Sequence, residues 1–545
     1  MQGNFIERAI QADLGENTHL LHTRYPPEPG GYLHIGHAKA ITINYGLAQQ
    51  FGGKYNLRMD DTDPTKADMD YYVGVIKDSV EWLGFDVSDR LFYASNYFDK
   101  FYEYALVLIN RGLAYVCDLN GDEMRTYRGT LTEAGKNSPF RTRSVEENLD
   151  LFKRMKAGEF ENGAKTLRAK IDMASPNMNM RDPAIYRIIH HEHYNAPGWC
   201  VYPTYDFAHP LSDAIEGITH SLCGVEFEDH RPLYNWCVEN VGGFDPVPRQ
   251  IEFGELDLTN AILGKRFIRK LIEQGVIDYW DDPRLVTLAG MRRRGYRPQA
   301  PHNFFEAAGV SKGKANVDAA MLEHFVREDL AVDSKVVMAV LDPIKLVITN
   351  YPEGQTEMLE MPNNPKNEAL GTRQIPFGRE VYIEADDFME VPPPKYHRLY
   401  PGNEVRLAGA YFVTCTDIVK DENGKIIEIH ATYDPATKSG SGFSERKVKG
   451  TIHWVCTEQA VPIQANLYSY LVLDDENAEE GFVFNKDSLI IADNAVAEPS
   501  IKNATENDRF QFMRNAFFCL DTKDTTPEKM VFNRIVELKS SFKPS

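Results

Sequence analysis

The sequence predicts a nucleotide-handling α/β domain in its N-terminal half and a β-rich module in its C-terminal half. Three observations carry this expectation. Strand and helix signals alternate through about residue 90, which favours a parallel sheet. A Pro- and Gly-rich turn runs directly into a helix that opens with two histidines. Beyond Lys335, many short strands punctuated by Gly, Pro and Asn replace the helices, the pattern of barrels or a sandwich.

His19 to Tyr25 reads as the first strand, stopped by Pro26-Pro27. A helix is expected from near His37, because Ala38, Ile41, Tyr45 and Ala48 recur at helical spacing. Tyr55 to Met59 is the next strand. Asp68 to Leu83 is the next helix, with Val73, Ile76, Val80 and Leu83 on one face. Asp99 to Trp199 is longer and more irregular, as an insert would be, and Trp199 to Tyr205 returns to strand. Residues 260–333 are mostly helical and carry the basic stretch Arg292-Arg293-Arg294-Gly295-Tyr296-Arg297, a candidate for phosphates or for a solvated face. Val336 to Leu341, Lys345 to Ile348, Tyr411 to Val419 and Ile426 to Tyr433 are β-rich. The last two flank Asp421-Glu422-Asn423-Gly424, whose Asn-Gly signals a hairpin. Val391-Pro392-Pro393-Pro394 and the acidic run Asp474 to Glu480 read as loops.

A length of 545 residues implies several domains, and 43% hydrophobic with 26% charged residues excludes low-complexity and wholly disordered classes. A net charge of −20 disfavours a non-specific nucleic-acid binder, although basic residues clustered on one face can still meet RNA. No run of about eighteen apolar residues predicts a membrane span. Met1-Gln2-Gly3-Asn4-Phe5-Ile6-Glu7 lacks a signal-peptide pattern, so a cytoplasmic location is expected. Cys117, Cys200, Cys223, Cys237, Cys415, Cys456 and Cys519 show no C-x-x-C spacing. Reduced thiols are expected, with neither a disulfide scaffold nor a structural metal site.

The chemistry concentrates in Arg24-Tyr25-Pro26-Pro27-Glu28-Pro29-Gly30-Gly31-Tyr32-Leu33-His34-Ile35-Gly36-His37. A helix start offers free N–H donors and a positive dipole end, which suit a polyphosphate. Two imidazoles three residues apart can both donate to phosphate oxygens as charge develops there.

His34-Ile35-Gly36-His37 resembles the signature of class I aminoacyl-tRNA synthetases, and Pro27 to Leu33 resembles their glutamyl/glutaminyl branch, on its glutaminyl side. The resemblance continues through Arg58-Met59-Asp60-Asp61-Thr62-Asp63-Pro64, Tyr127-Arg128-Gly129-Thr130-Leu131, Leu167 to Met173, Tyr202-Pro203-Thr204-Tyr205-Asp206-Phe207 and Glu216 to Cys223. It goes on in Trp280-Asp281-Asp282-Pro283-Arg284, Phe510-Gln511-Phe512-Met513-Arg514 and Phe518-Cys519-Leu520-Asp521, covering nearly the whole chain in order. It implies an α/β Rossmann-like catalytic domain in two halves (1–98 and 199–258) around an α/β acceptor-stem-binding insert (99–198). A helical subdomain follows (259–333), then two C-terminal β-barrels (334–545, the distal one about 349–455) that bind the anticodon.

The implied reaction is a ligase's. L-Glutamine and Mg-ATP give an aminoacyl-adenylate, which is passed to tRNA(Gln), with no protein nucleophile and with a monomer as the expected state. For ATP the resemblance implies Glu28, Pro29, Gly30, His34, Ile35, Gly36, His37, Ala38, Lys39, Ala40, Gly224, Glu255, Leu256, Leu263, Gly264 and Lys265. His34, His37, Lys265 and Arg266 are the implied catalytic set. Ile262-Leu263-Gly264-Lys265-Arg266 matches the second phosphate loop, with Leu263-Gly264 where the branch has Met-Ser. Gly224 stands where it has Thr, Glu255 where it has Arg, and Asp63 where it often has Asn. For the amino acid it implies Arg24, Asp60, Tyr205 and Cys223, and a neutral Cys223 offers no countercharge to a glutamate side chain. For tRNA it implies Leu131 as a base-pair wedge, Asp229 in the acceptor-stem minor groove, and Arg398, Gln511 and Arg514 at the anticodon, with Ala408 where an Arg is common. The alternatives are a glutamate-charging member of the branch and an RNA-binding paralogue impaired in activation.

Overall fold

The computed structural model describes residues 3–16 and 19–542; Met1 and Gln2, part of the N-terminal stretch read above, lie outside them. The chain divides into two compact units, 1–257 with 305–317, and 258–304 with 318–545.

In the first unit, helix α1 (Phe5–Glu16) precedes strand β1 (His22–Tyr25), helix α2 (Ile35–Gln50), strand β2 (Lys54–Met59), helix α3 (Met69–Trp82) and strand β3 (Leu91–Tyr93). The three strands are parallel in the order β1-β2-β3. Crossovers through α2 and α3 are what parallel neighbours require. Helix α4 (Phe98–Asn110) leads into strand β4 (Ala114–Cys117), helix α5 (Gly121–Arg128), helix α6 (Val145–Lys156), strand β5 (Thr166–Ala169), strand β6 (Ala184–Ile188) and strand β7 (Val201–Pro203). Strands β4-β5-β6-β7 form one antiparallel sheet. The segment expected to return the chain to the parallel sheet at Trp199 instead closes this one: Tyr186 pairs Pro203 and Ile188 pairs Val201. Tyr102, Phe152, Tyr186 and Phe207 build the core beneath it.

Helix α7 (Tyr205–Glu216) then leads to strand β8 (His220–Gly224), helix α8 (Arg231–Val241) and strand β9 (Arg249–Phe253), with β8 and β9 parallel. Thr219 joins them to β1: its N–H donates to the His22 carbonyl at 3.0 Å and its hydroxyl accepts from the His22 N–H at 2.9 Å. The parallel layer therefore continues on both sides of β1, and the chain direction of growth reverses there, the switch point at which open α/β sheets bind ligands.

The second unit holds helix α9 (Lys265–Glu273), further helices to residue 331, and two barrel-like sheets. The distal one has seven strands between Pro343 and Cys456, closed over Trp454, Phe377 and Leu346. The proximal one uses strands from both ends of this unit's β region, for Lys335–Val337 pairs with Phe510–Phe512. The Asn-Gly hairpin forms between Phe412–Lys420 and Ile426–Asp434, but as a longer loop than a two-residue turn. The Asp421 carboxylate accepts from the N–H groups of Asn423 and Lys425 at 2.9 and 2.8 Å, and Gly424 takes φ of 79°. Among the described residues, no helix is long and apolar enough to cross a membrane.

Candidate functional site

Helix α2 starts at Ile35, two residues before the position expected from periodicity, because His34 caps it. The His34 Nδ1 accepts from the Gly36 N–H at 3.1 Å, and the His37 Nδ1 accepts from the His34 N–H at 3.0 Å. This is a capping box written in histidines rather than Ser and Glu. Its consequence is chemical: with both Nδ1 atoms accepting, each neutral ring carries its proton on Nε2. The rings lie 3.8 Å apart, centroid to centroid. Gly36 serves His34 itself, since a Cβ there would sit 2.9 Å from the His34 ring.

Ile35 and Ala38 are fully buried and can offer a ligand only main-chain groups. Pro29 is also buried and Ala40 half-buried, while Glu28 is exposed and lies 3.3 Å from Lys66; the Gly30 N–H donates to the Glu28 carbonyl. Lys39, one of the residues implied for ATP, has its ammonium turned inward. It is 3% exposed, its ammonium donates to the Gly254 carbonyl at 3.0 Å, and burial lowers its pKa.

The expected amino-acid residues lie at the C-terminal ends of the parallel strands: Arg24 in β1, Asp60 after β2 and Cys223 in β8, with Tyr205 opening α7. Arg24 is wholly buried and fully engaged in a network of the chain's own groups. Its guanidinium donates to Asp213 at 3.0 and 3.2 Å, to the Leu222 carbonyl at 2.8 Å, to the His209 Nε2 at 2.7 Å and to Ser221 at 2.5 Å. Asp60 keeps 9% exposure, accepts from Arg58 at 2.9 Å and from the His209 Nδ1–H at 2.9 Å. Burial opposes its ionisation, but Arg58 and His209 outweigh that and hold its carboxyl below the usual range. Tyr205 stacks on His209 with centroids 4.9 Å apart and remains 38% exposed. His209, not foreseen in the sequence, thus ties Tyr205 to Asp60. Burial pushes the Cys223 thiol up to about 12, so it is neutral.

Two departures from the family pattern are one structural feature. A Cβ on Gly224 would lie 2.0 Å from the Glu226 Oε2, so Glu226 occupies the space a side chain at 224 would need. Burial, and then Glu255 hydrogen-bonded beside it, raise the Glu226 pKa. Glu255 also faces Lys314 at 3.7 Å. Leu256 is buried in the short strand that follows.

In the insert, Leu131 is 81% exposed at the tip of a loop. The loop is held from below by Arg181, whose guanidinium donates to the carbonyls of Arg128, Thr130 and Glu133 at 2.8, 2.8 and 2.9 Å. Asp229 is exposed, and its carbonyl accepts from Asn177 and Asn179 of the insert at 2.7 and 3.2 Å.

In the second unit, Leu263 and Gly264 precede α9, with Gly264 as its cap residue and Lys265 and Arg266 in its first turn. Arg398 and Arg514, more than a hundred residues apart in sequence, converge on buried Asp387. Arg514 makes a bidentate pair at 2.6 and 2.7 Å, and the Arg398 Nε lies at 3.4 Å. Arg514 takes a left-handed φ of 66° in the turn between strands Phe510–Phe512 and Ala516–Leu520. Gln511 is half-buried between Phe510 and Phe512. Ala408 is buried, its carbonyl accepting the Trp454 indole N–H at 2.9 Å. The basic stretch at 292–294 is largely consumed internally: Arg293 pairs with Asp521 and Asp524, and Arg294 donates to the carbonyls of Ile535 and Pro283.

Family models describe this architecture. The catalytic domain of class I tRNA synthetases (E and Q) matches residues 20–332, and two anticodon-binding domains of the same family match 336–434 and 451–521. The chain belongs to the class I (E and Q) tRNA synthetase family. It is 57% identical over 546 residues to a glutamine–tRNA ligase of Clostridium perfringens, covering 99% of this chain and 98% of that one. It is 58% identical over 547 residues to that of Clostridioides difficile and 53% identical over 550 to that of Pseudomonas aeruginosa, with the same coverage.

Proposed function

We propose that this chain acts as a glutamine–tRNA ligase. Glutamine and ATP give glutaminyl-adenylate and diphosphate, and the glutaminyl group then passes to the 3′ end of tRNA(Gln), releasing AMP. The names of relatives above 50% identity over nearly the whole chain support this reading.

One observation carries the choice of glutamine. The Cys223 thiol is neutral, and the Arg24 guanidinium, which acts on it, is already engaged by Asp213, His209, Ser221 and the Leu222 carbonyl. A glutamate carboxylate would therefore lose water without gaining a countercharge. Asp60, kept ionised by Arg58 and His209, takes the substrate's α-ammonium, and Tyr205 offers its hydroxyl to the side-chain amide.

In activation, a carboxylate oxygen of glutamine attacks the α-phosphorus and diphosphate leaves. The Nε2–H groups of His34 and His37 donate to phosphate oxygens, and Lys265 and Arg266 neutralise the departing charge. Magnesium enters on the nucleotide's phosphates. In transfer, a ribose hydroxyl of the terminal adenosine attacks the adenylate carbonyl and AMP departs. Leu131 wedges the end of the acceptor stem, Asp229 reads its minor groove, and Arg398, Gln511 and Arg514 meet the anticodon. We take the working form to be a cytoplasmic monomer.

The test is ATP-dependent charging of a tRNA(Gln) transcript with glutamine and glutamate in parallel. Preferential charging with glutamine is expected. Preferential charging with glutamate overturns the specificity, and charging with neither overturns the activity, in favour of an RNA-binding paralogue altered at Gly224, Glu255 and Leu263-Gly264.

A further inference from the structure

Helix α9 buries Ile268 and Leu271 and turns Arg266, Arg269 and Lys270 outward. The three stand at i, i+3 and i+4, so they share one face of the helix. They line an open cavity of about 490 Å3 together with Phe267, Glu273 and Glu480. Phe267 meets Phe482 edge-on, with centroids 5.9 Å apart, which seats the helix against the hairpin of Val472–Asp474 and Phe482–Phe484.

Elsewhere in this unit, arginines are spent on the chain's own carboxylates: Arg297 on Asp329 and Asp333, Arg373 on Glu498, Arg446 on Glu404 and Asp434. Among the described residues, Arg266, Arg269 and Lys270 make no ion pair and no side-chain hydrogen bond, although Glu273 and Glu480 border the same cavity. The packing thus holds three cations side by side on a rigid element, facing solvent. A chain of net charge −20 repels RNA at long range, so an RNA docking on it must be met by local clusters of this kind. The stretch at 292–294, the other candidate, is mostly neutralised by internal carboxylates and carbonyls.

We propose that the outer face of α9 binds the phosphodiester backbone of the tRNA through Arg269 and Lys270, with Lys265 and Arg266 left to the ATP phosphates. This rests on the ligase reading, which the wild-type charging assay tests separately. Phosphate contacts fix position and carry no sequence information. Neutralising them should weaken all transcripts alike and flatten the salt dependence by about 0.9 log units per contact.

The experiment compares the full chain with the double variant Arg269→Gln, Lys270→Gln. Binding of the tRNA(Gln) transcript and of an anticodon-swapped transcript is measured between 50 and 200 mM KCl. The variant should bind both transcripts about 3- to 30-fold more weakly at the low-salt end, as two exposed charge contacts allow. Its slope of log Kd against log salt should be shallower by about 1–2, and the swap Arg269→Lys, Lys270→Arg should restore both. Thermal melting and ATP binding should be unchanged. An unchanged slope in a folded variant overturns the proposal. So does a loss confined to one transcript, or a loss of ATP binding without a loss of tRNA binding.

Discussion

Asp213→Asn tests whether the buried charge network beside Asp60 stabilises the first unit and aligns the Asp60 carboxylate. Asp213 is wholly buried and accepts four hydrogen bonds: Arg24 at 3.0 and 3.2 Å, Arg58 at 2.8 Å and the Tyr234 hydroxyl at 2.8 Å. Asparagine keeps the shape and one acceptor. It replaces the other oxygen with an NH2 that meets the donors of Arg24 and Tyr234 head-on, and it leaves two buried guanidinium groups short of one negative charge. Removing one partner of a buried pair costs about 3–5 kcal/mol, a large part of a domain's usual stability of about 5–15 kcal/mol. Urea unfolding at pH 7, followed by a probe in the first unit, should show that loss. Burial opposes ionisation of Asp213, yet Arg24 and Arg58 hold its carboxyl far below the usual range. A depressed folded pKa contributes stability above the unfolded carboxylate's pKa of about 4 and loses it as pH falls further. The deficit of the variant should therefore be full at neutral pH and shrink in acid, where the wild type loses the same contribution. Because Arg58 and His209 both touch Asp213 and both orient Asp60, KM for glutamine should also rise, by about 10-fold, at temperatures where the variant is folded. A loss below about 1 kcal/mol at pH 7, or a deficit that persists unchanged in acid, would refute the reasoning.

Lys265→Ala should lower kcat by about 100-fold or more while leaving glutamine binding close to wild type, as expected for a donor needed only when phosphate charge develops; near wild-type aminoacylation would remove Lys265 from catalysis. Cys223→Arg should lower kcat/KM for glutamine and raise the relative use of glutamate, because a guanidinium beside buried Arg24 demands an anion; competition between the two amino acids reads the ratio directly. Arg181→Lys keeps the charge but loses the longer planar fork that serves the three carbonyls behind Leu131 and the Ser175 carbonyl at once, so kcat/KM for tRNA should fall about 10-fold with ATP binding intact; equal losses in both would mean general unfolding. Asp387→Ala should reduce kcat/KM for tRNA by about 5- to 150-fold and narrow the preference between wild-type and anticodon-swapped transcripts, since it releases both Arg398 and Arg514.

The parallel layer and the histidine-bearing helix start are legible in the sequence because local signals set them, whereas Asp60 and Cys223 are singled out only by the family resemblance. Prolines stop β1, apolar periodicity marks α2 and α3, and the motif residues follow strands directly. What escaped depends on contacts between distant segments. Whether an arginine faces solvent or a carboxylate cannot be read from its neighbours in sequence: Arg293 finds Asp521, and Arg24 finds Asp213. The same applies to Lys39, whose ammonium is turned to the Gly254 carbonyl, and to Glu226, which explains Gly224 only once the two are seen in contact. Strand β7 is legible as a strand, but its partner β6 is not, because a three-residue strand carries no record of its neighbour.

The path through the two barrels also sets an order of assembly. The proximal sheet joins residue 335 to residue 510 and residue 463 to residue 530, with the whole distal barrel strung between its first strands and the rest. During synthesis, the distal barrel has all its strands once Cys456 has emerged, whereas Lys335–Val337 waits with its edge open for the last part of the chain. Such long-range closure is slow and comes late. A polypeptide that ends prematurely before Met530 therefore carries every nucleotide and amino-acid motif yet lacks a closed proximal barrel. If the barrels meet the anticodon as proposed, that contact is complete only in chains translated past Met530.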